Sequence, residues 1–126
     1  MNTRRLLILG AGPFQTGLIS SARALGVETI AVDGDPTAPG LVLADQAEII
    51  DLKAIDHLIT LAKQYKVAGV VSTASDVALP AQAAVATALS LPGPTPEWVA
   101  QCRHKVRVAE RLERAGVRTP KTIEWP

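Results

Sequence analysis

Short apolar runs alternate with helically spaced apolar residues along this chain, and the alternation predicts a layered α/β domain. The first run, Leu6–Leu9, ends in glycine, as is typical of a strand that is buried on both faces. Apolar residues at helical spacing follow over 15–25, and a second apolar run over 29–32 predicts another strand. These elements form a β-α-β unit, which predicts parallel strands joined by a right-handed crossover.

The rest of the chain continues this alternation. Further strands are predicted over 47–50 and 67–71, and further helices over 55–62, over 80–89, from Pro96 onward and over 105–115. Pro80 and Pro96 suit a first helical turn, with Thr95 as the N-cap of the later helix. Residues 119–123 are interpreted as a linker that enters another strand. We therefore predict a doubly wound, Rossmann-like open parallel sheet flanked by helices, with residues 1–94 as the sheet domain and 95–126 as a helical connector.

Composition narrows the class of protein. The 126 residues carry a formal net charge of +1, which argues against strong attraction to nucleic acid or to an anionic membrane. Basic residues gather over 103–118, but Glu110 and Glu113 interrupt them, as on a solvated helix face. Aromatic residues are few, so a core of Ala, Val, Leu and Ile is expected, which suits an α/β domain.

Cysteine and histidine content argues against disulfides and metal. Cys102 is the only cysteine, so no internal disulfide forms and a reducing, cytoplasmic location is expected. His57 and His104 have no partners at zinc-ligand spacing, so no metal site is predicted.

The first apolar run is too short for a signal sequence, and no run approaches the roughly 20 residues that span a bilayer. No Gly-x-Ser-x-Gly elbow is present, and no catalytic residue is assigned.

A glycine-rich turn follows the first strand. Gly10 and Gly12 match the start of the G-x-G-x-x-G dinucleotide fingerprint, but Gln15 stands at the third glycine position and Pro13 and Phe14 precede it. Asp33 ends the second strand, where a ribose hydroxyl is bound in dinucleotide sites. Three interpretations stay open: a dinucleotide site, a site for a smaller phosphate or carboxylate at the helix N-terminus, and a turn without a ligand.

The order of motifs resembles the N-terminal domain of ATP-grasp carboxylate–amine ligases, a family that includes biotin carboxylase and carbamoyl-phosphate synthase large subunits. The matching stretches are ILGAGPFQTG, LGVETIAVDGDPTAPGLVLADQAEIID and LPGPTPEWVAQCRHKVRVAERLERAGVRTP. The resemblance covers nearly the whole chain and implies a following ATP-grasp domain, which would bind most of the ATP and Mg²⁺. It therefore implies that this chain does not catalyse ligation alone.

The resemblance also implies roles for individual residues. Lys105 matches a lysine that contacts ATP phosphates, although His104 stands where the family commonly has aspartate. A small-molecule carboxylate or phosphorylated substrate would be held by residues at the carboxyl ends of the strands: Gly10, Gly12, Pro13, Phe14, Gln15, Asp33, Ser75 and Asp76. Asp76 is equally suited to capping the next helix. Two alternatives remain, a stand-alone dinucleotide-binding regulatory module and a catalytically silent domain that forms a homodimer through alanine-rich faces.

Overall fold

A computed structural model describes residues 4–125 as helices packed on a four-stranded sheet. The strands are β1 (Arg5–Leu9), β2 (Glu28–Asp33), β3 (Gln46–Ile49) and β4 (Gly69–Val71). Their order in the sheet is β3-β2-β1-β4, and every pairing is parallel. The predicted open parallel sheet is therefore confirmed, with β1 and β2 as its two inner strands.

The helices follow the predicted order. They are α1 (Thr16–Ala24), α2 (Ile55–Tyr65), α3 (Leu79–Ala88), α4 (Pro96–Arg103) and α5 (Lys105–Arg114). Pro80 lies in the first turn of α3, and the Thr95 hydroxyl caps α4 by accepting a hydrogen bond from the Trp98 amide at 3.2 Å. No helix in residues 4–125 is long and apolar enough to cross a membrane.

Successive residues of the central strands face opposite sides of the sheet and build two cores. Leu7 and Ile30 belong to the core that α2 and α3 cover, whereas Ile8 and Ala31 belong to the core beneath α1. All four side chains are inaccessible to solvent. The sheet is thus covered by helices on both faces, as the continuous apolar runs predicted.

Two expectations about strands need correction. Residues 117–125 form no strand, because they are almost entirely exposed and Pro120 has no amide with which to join a sheet. The strand predicted over 67–71 begins only at Gly69. Val67 instead belongs to the turn that ends α2. Its amide donates a hydrogen bond to the Ala62 carbonyl at 3.1 Å, and Lys66, the C-cap before it, has a left-handed conformation.

Thr29, which is fully buried on β2, is held by a carboxylate from the loop before β3. Its amide and hydroxyl donate hydrogen bonds to Asp45 Oδ2 at 2.8 and 2.9 Å, and the Asp45 amide donates to the Thr29 hydroxyl at 3.1 Å. The two bonds that the Thr29 amide and hydroxyl donate to the carboxylate, with a smaller contribution from Arg23, hold the pKa of Asp45 below its ordinary value of 3.8. Protonation of Asp45 therefore weakens this edge of the sheet.

We expect the Asp45→Asn variant to lose less stability than the wild type between pH 7 and pH 3. A carboxyl group with a depressed folded-state pKa stabilises the fold above its unfolded-state pKa, and this contribution disappears as the pH falls through the folded-state pKa. Urea unfolding at both pH values measures the difference. Glu110→Gln, a neutralisation of an exposed glutamate on α5, is the control and should behave like the wild type. Equal acid sensitivity in the wild type and Asp45→Asn would contradict the prediction.

Candidate functional site

The glycine-rich turn of residues 10–15, called the glycine loop below, leaves the carboxyl end of β1. It enters α1 through a 3-10 turn at Pro13–Gln15. Gly10 has φ of +96°, a left-handed conformation that favours glycine, and its amide donates to the Val32 carbonyl at 2.8 Å. Phe14 projects from the turn with 81% of its surface exposed. The loop is therefore anchored to the sheet at its base and presents Pro13 and Phe14 outward.

Gln15 turns inward and joins two loops. Its side chain is almost completely buried, and its Nε2 donates a hydrogen bond to the Thr73 carbonyl at 2.6 Å. The same side chain lies against the glycines, since a Cβ at Gly12 would stand 3.1 Å from Gln15 Oε1 and one at Gly10 would stand 3.4 Å from Gln15 Cδ. Gln15 thus fills the space beside the turn and fixes the glycine loop against the loop that follows β4. Direct contact between Gln15 and a substrate stays a prediction.

Asp33 stabilises the same loop from the end of β2. Its Oδ2 accepts a hydrogen bond from the Ala11 amide at 2.8 Å, and its Oδ1 accepts one from the Asp35 amide at 2.9 Å. Both carboxylate oxygens therefore have backbone donors within the fold. A ribose hydroxyl would have to share these oxygens with the amides that they already bind.

Ser75 and Asp76 lie in the loop between β4 and α3, beside a cavity of about 390 Å³ that Ser72 and Leu79 also line. The Ser72 hydroxyl donates to the Leu9 carbonyl at 2.8 Å, which ties the start of this loop to β1. The N-cap of α3 is Ala78, so Asp76 does not cap the helix. Its exposed carboxylate is available at the carboxyl edge of the sheet.

Two helices begin at this edge without side-chain caps. The N-cap residues of α1 and α3 are Gln15 and Ala78, neither side chain accepts a capping hydrogen bond, and neither first turn contains an acidic residue. Backbone amides at such ends favour an anionic group. The edge thus combines amides suited to a carboxylate or phosphate with the Asp76 carboxylate, which suits an amine.

Lys105 is the first residue of α5 and is exposed. The helix packs on α4 and contains no buried residue, so it stands outside the layers that cover the sheet. His104, at the position where the family commonly has aspartate, is the N-cap: its Nδ1 accepts a hydrogen bond from the Arg107 amide at 3.4 Å. His104 therefore caps the helix that Lys105 begins, and the contact of Lys105 with ATP stays a prediction.

Several contacts that shape the site leave little trace in the sequence. The Thr73 carbonyl and the Gly40 amide both act through the backbone, and Gly40 donates to the Ala11 carbonyl at 2.6 Å. Within residues 4–125, no three His, Cys, Asp or Glu side chains are grouped closely enough to hold a metal ion. The structure brings together the glycine loop, Asp33 and the loop after β4.

Residues 6–89 match a family model described as PylC-like, N-terminal domain. The chain belongs to this family. Among curated relatives, a formate-dependent phosphoribosylglycinamide formyltransferase of Burkholderia mallei is 38% identical over 84 residues, which are 67% of this chain and 21% of that protein. Its counterpart from Burkholderia pseudomallei has the same identity and coverage. This PylC-like domain therefore spans about a fifth of the length of these relatives.

Solved structures confirm the fold of the PylC-like domain. Phosphoribosylglycinamide synthetase from Anaerococcus prevotii superposes with a TM-score of 0.82 at 32% identity, covering 94% of this chain and 30% of that protein. L-amino acid ligase from Bacillus licheniformis superposes over the whole chain and 36% of its own length, with a TM-score of 0.80 at 22% identity. The second similarity supports the fold alone.

These comparisons confirm the resemblance to the N-terminal domain of ATP-grasp ligases. The alternative of a stand-alone dinucleotide-binding module finds no support among these relatives. The position of Gln15 agrees with that outcome, because its buried side chain fills the space beside the turn.

Proposed function

We propose that this chain is the substrate-binding N-terminal part of a ligase that joins a carboxylate to an amine at the expense of ATP. The superposition on a synthetase that is 32% identical over 94% of the chain carries the proposal. In such a ligase ATP, with Mg²⁺, would phosphorylate the carboxylate and leave ADP, and the amine would then displace inorganic phosphate from the acyl phosphate. Most contacts to ATP and Mg²⁺ come from residues outside this chain, which is not catalytic alone.

The chain's own part in this reaction is to bind and orient one substrate. The uncapped amides at the start of α1, beside Gly12, Pro13 and Phe14, favour a carboxylate or phosphate group. The exposed Asp76 carboxylate, on the neighbouring loop, favours an amine on the same molecule. The Gln15 bond to Thr73 fixes the distance between these two loops. A small molecule that carries both an anionic group and an amine fits this arrangement best.

Lys105 supplies a positive charge toward the ATP phosphates. In a longer protein that carries this domain, Lys105→Ala should raise the apparent KM for ATP about tenfold, because a charge-assisted hydrogen bond contributes roughly 1.5–3 kcal/mol. Steady-state kinetics with varied ATP measures the change. Lys63→Ala, which removes an exposed lysine from α2, is the control and should leave the KM for ATP unchanged. An unchanged KM in Lys105→Ala would remove this residue from the site.

The size of the native polypeptide is the first test of the proposal. Immunoblotting or intact mass spectrometry of the source cells should show a product well above the 13.3 kDa of this chain. A native product of 13.3 kDa would favour a separate module of a split enzyme instead.

We also expect the protein in the cytoplasm, as its lone cysteine suggests. Homodimer formation stays a prediction, and the alanine-rich α3 buries Ala81 and Ala83 within the chain.

A further inference from the structure

A groove of about 640 Å³ runs between α3 and the start of α4, next to the candidate substrate site. Its walls are Leu79, Pro94 and Trp98, and Gln82 lies among them. Trp98 leaves 56% of its surface exposed, although it is a large aromatic residue. Ser72 and Leu79 border both this groove and the cavity beside Asp76, so the two are adjacent.

Gln82 has an unsatisfied hydrogen-bonding group. Its Oε1 is inaccessible to solvent and accepts no hydrogen bond from any residue between 4 and 125. A buried carbonyl oxygen without a donor is unfavourable, and most such atoms in folded proteins have a partner. Because the last torsion of a glutamine side chain is soft, the amide can turn this oxygen toward a donor in the groove.

The groove is formed in advance of any ligand. A Cβ at Gly93 would lie 2.8 Å from the Ala86 Cβ, so the loop before α4 presses closely against α3. Pro94 restricts the backbone of that loop, and the Thr95 cap holds the amide of Trp98. A wall of this kind binds a flat apolar group with little loss of conformational freedom.

We propose that this groove binds a planar ring bearing an N–H donor, which stacks on Trp98 and donates its hydrogen bond to Gln82 Oε1. The proposal rests on the proposed function, since the ring is taken as the part of the substrate that extends past Asp76. Leu79 and Pro94 supply apolar contact, and Gln82 selects rings with a donor over rings without one. Gln82 is therefore a specificity-determining residue.

Indole and benzofuran are matched probes for this site, because benzofuran replaces the N–H of indole with an oxygen that cannot donate. Titrations of the ¹⁵N-labelled chain, followed by NMR, should show indole shifting the Trp98 Nε1–H and Gln82 side-chain amide signals with a dissociation constant of about 1 mM. Benzofuran should bind about fivefold to tenfold more weakly, as expected for the loss of one hydrogen bond.

Three variants test which residues cause the preference for indole over benzofuran. Gln82→Met keeps the length of the side chain without an acceptor, so it should bind the two probes equally while its Tm stays at or above that of the wild type. Trp98→Ala should weaken the binding of both indole and benzofuran. Gln64→Met, at an exposed position on α2, is the control and should keep the wild-type preference for indole.

Equal binding of the two probes by the wild type, or shifts confined to other parts of the chain, would overturn the proposal. So would a longer protein in which the Gln82 and Trp98 signals are already protected and indole no longer binds, since another part of the protein would then fill the groove. The ATP measurement with Lys105→Ala does not depend on the groove. Loss of the indole preference with an intact Lys105 effect therefore overturns this inference alone.

Discussion

Replacing Gly40 with alanine should lower the free energy of unfolding by about 3 kcal/mol, at the upper end of the usual range for overpacking. A Cβ at this buried position would lie 2.7 Å from both the Ala11 carbonyl oxygen and the Ile19 Cδ1. The Ala11 oxygen also accepts the Gly40 amide at 2.6 Å, so the two backbone segments cannot separate without loss of that bond. The glycine loop would shift with them.

Gly17→Ala is the matched control for this substitution. Gly17 lies within α1, and a Cβ there meets no atom within 4 Å. Alanine should therefore leave stability unchanged or raise it by up to about 1 kcal/mol, as expected inside a helix. Urea unfolding of both variants measures the contrast. If Gly40→Ala unfolds at the same urea concentration as the wild type, the close approach between Gly40 and Ala11 does not constrain the fold.

Asp33→Ala should lower the free energy of unfolding by about 2 kcal/mol, because hydrogen bonds to charged groups contribute roughly 1.5–3 kcal/mol. The substitution removes the partner of the Ala11 amide, which belongs to a fully buried residue, and that of the Asp35 amide. The stability of Asp33→Asn should lie between those of the wild type and Asp33→Ala, since the asparagine side chain keeps one oxygen acceptor in place of two.

A second aspartate provides the control. Asp51 accepts the Lys53 amide at 2.9 Å in an exposed turn, so Asp51→Ala removes one solvent-accessible hydrogen bond and should cost about 0.5 kcal/mol. Calorimetry with millimolar NADH should show no binding to the wild type. Wild-type affinity for NADH that disappears in Asp33→Ala, with stability unchanged, would instead restore the dinucleotide hypothesis.

The strands and helices could be predicted because the sequence patterns that indicate them lie within a few residues of each other. Leu6–Leu9 and Ile30–Val32 are apolar without interruption, and such runs are typical of strands buried on both faces. Helix boundaries followed from single residues with a defined backbone role, such as Thr95 at the N-cap of α4 and Pro80 in the first turn of α3. Each of these assignments depends on neighbours within a few residues.

The interior of the site could not be predicted in the same way. Gln15 was assigned to substrate binding from its position in the loop, but its bond to Thr73 depends on where β4 lies. Asp33 was considered for ribose, whereas its partner is the Ala11 amide, 22 residues away in the chain. The strand expected after Thr119 depended on a sheet edge that residues 117–125 do not join. A contact between a side chain and a distant backbone atom leaves no pattern in the sequence from which it could be predicted.

The Gln15–Thr73 hydrogen bond also has a consequence for the order in which the molecule is made. Its partners are 58 residues apart, and within residues 4–125 β4 is the last strand although it lies beside β1, the first. During synthesis β1, β2 and β3 leave the ribosome as a contiguous group, while the glycine loop lacks its second wall until β4 arrives. The two loops of the candidate site can therefore come together only after β4 has been synthesised.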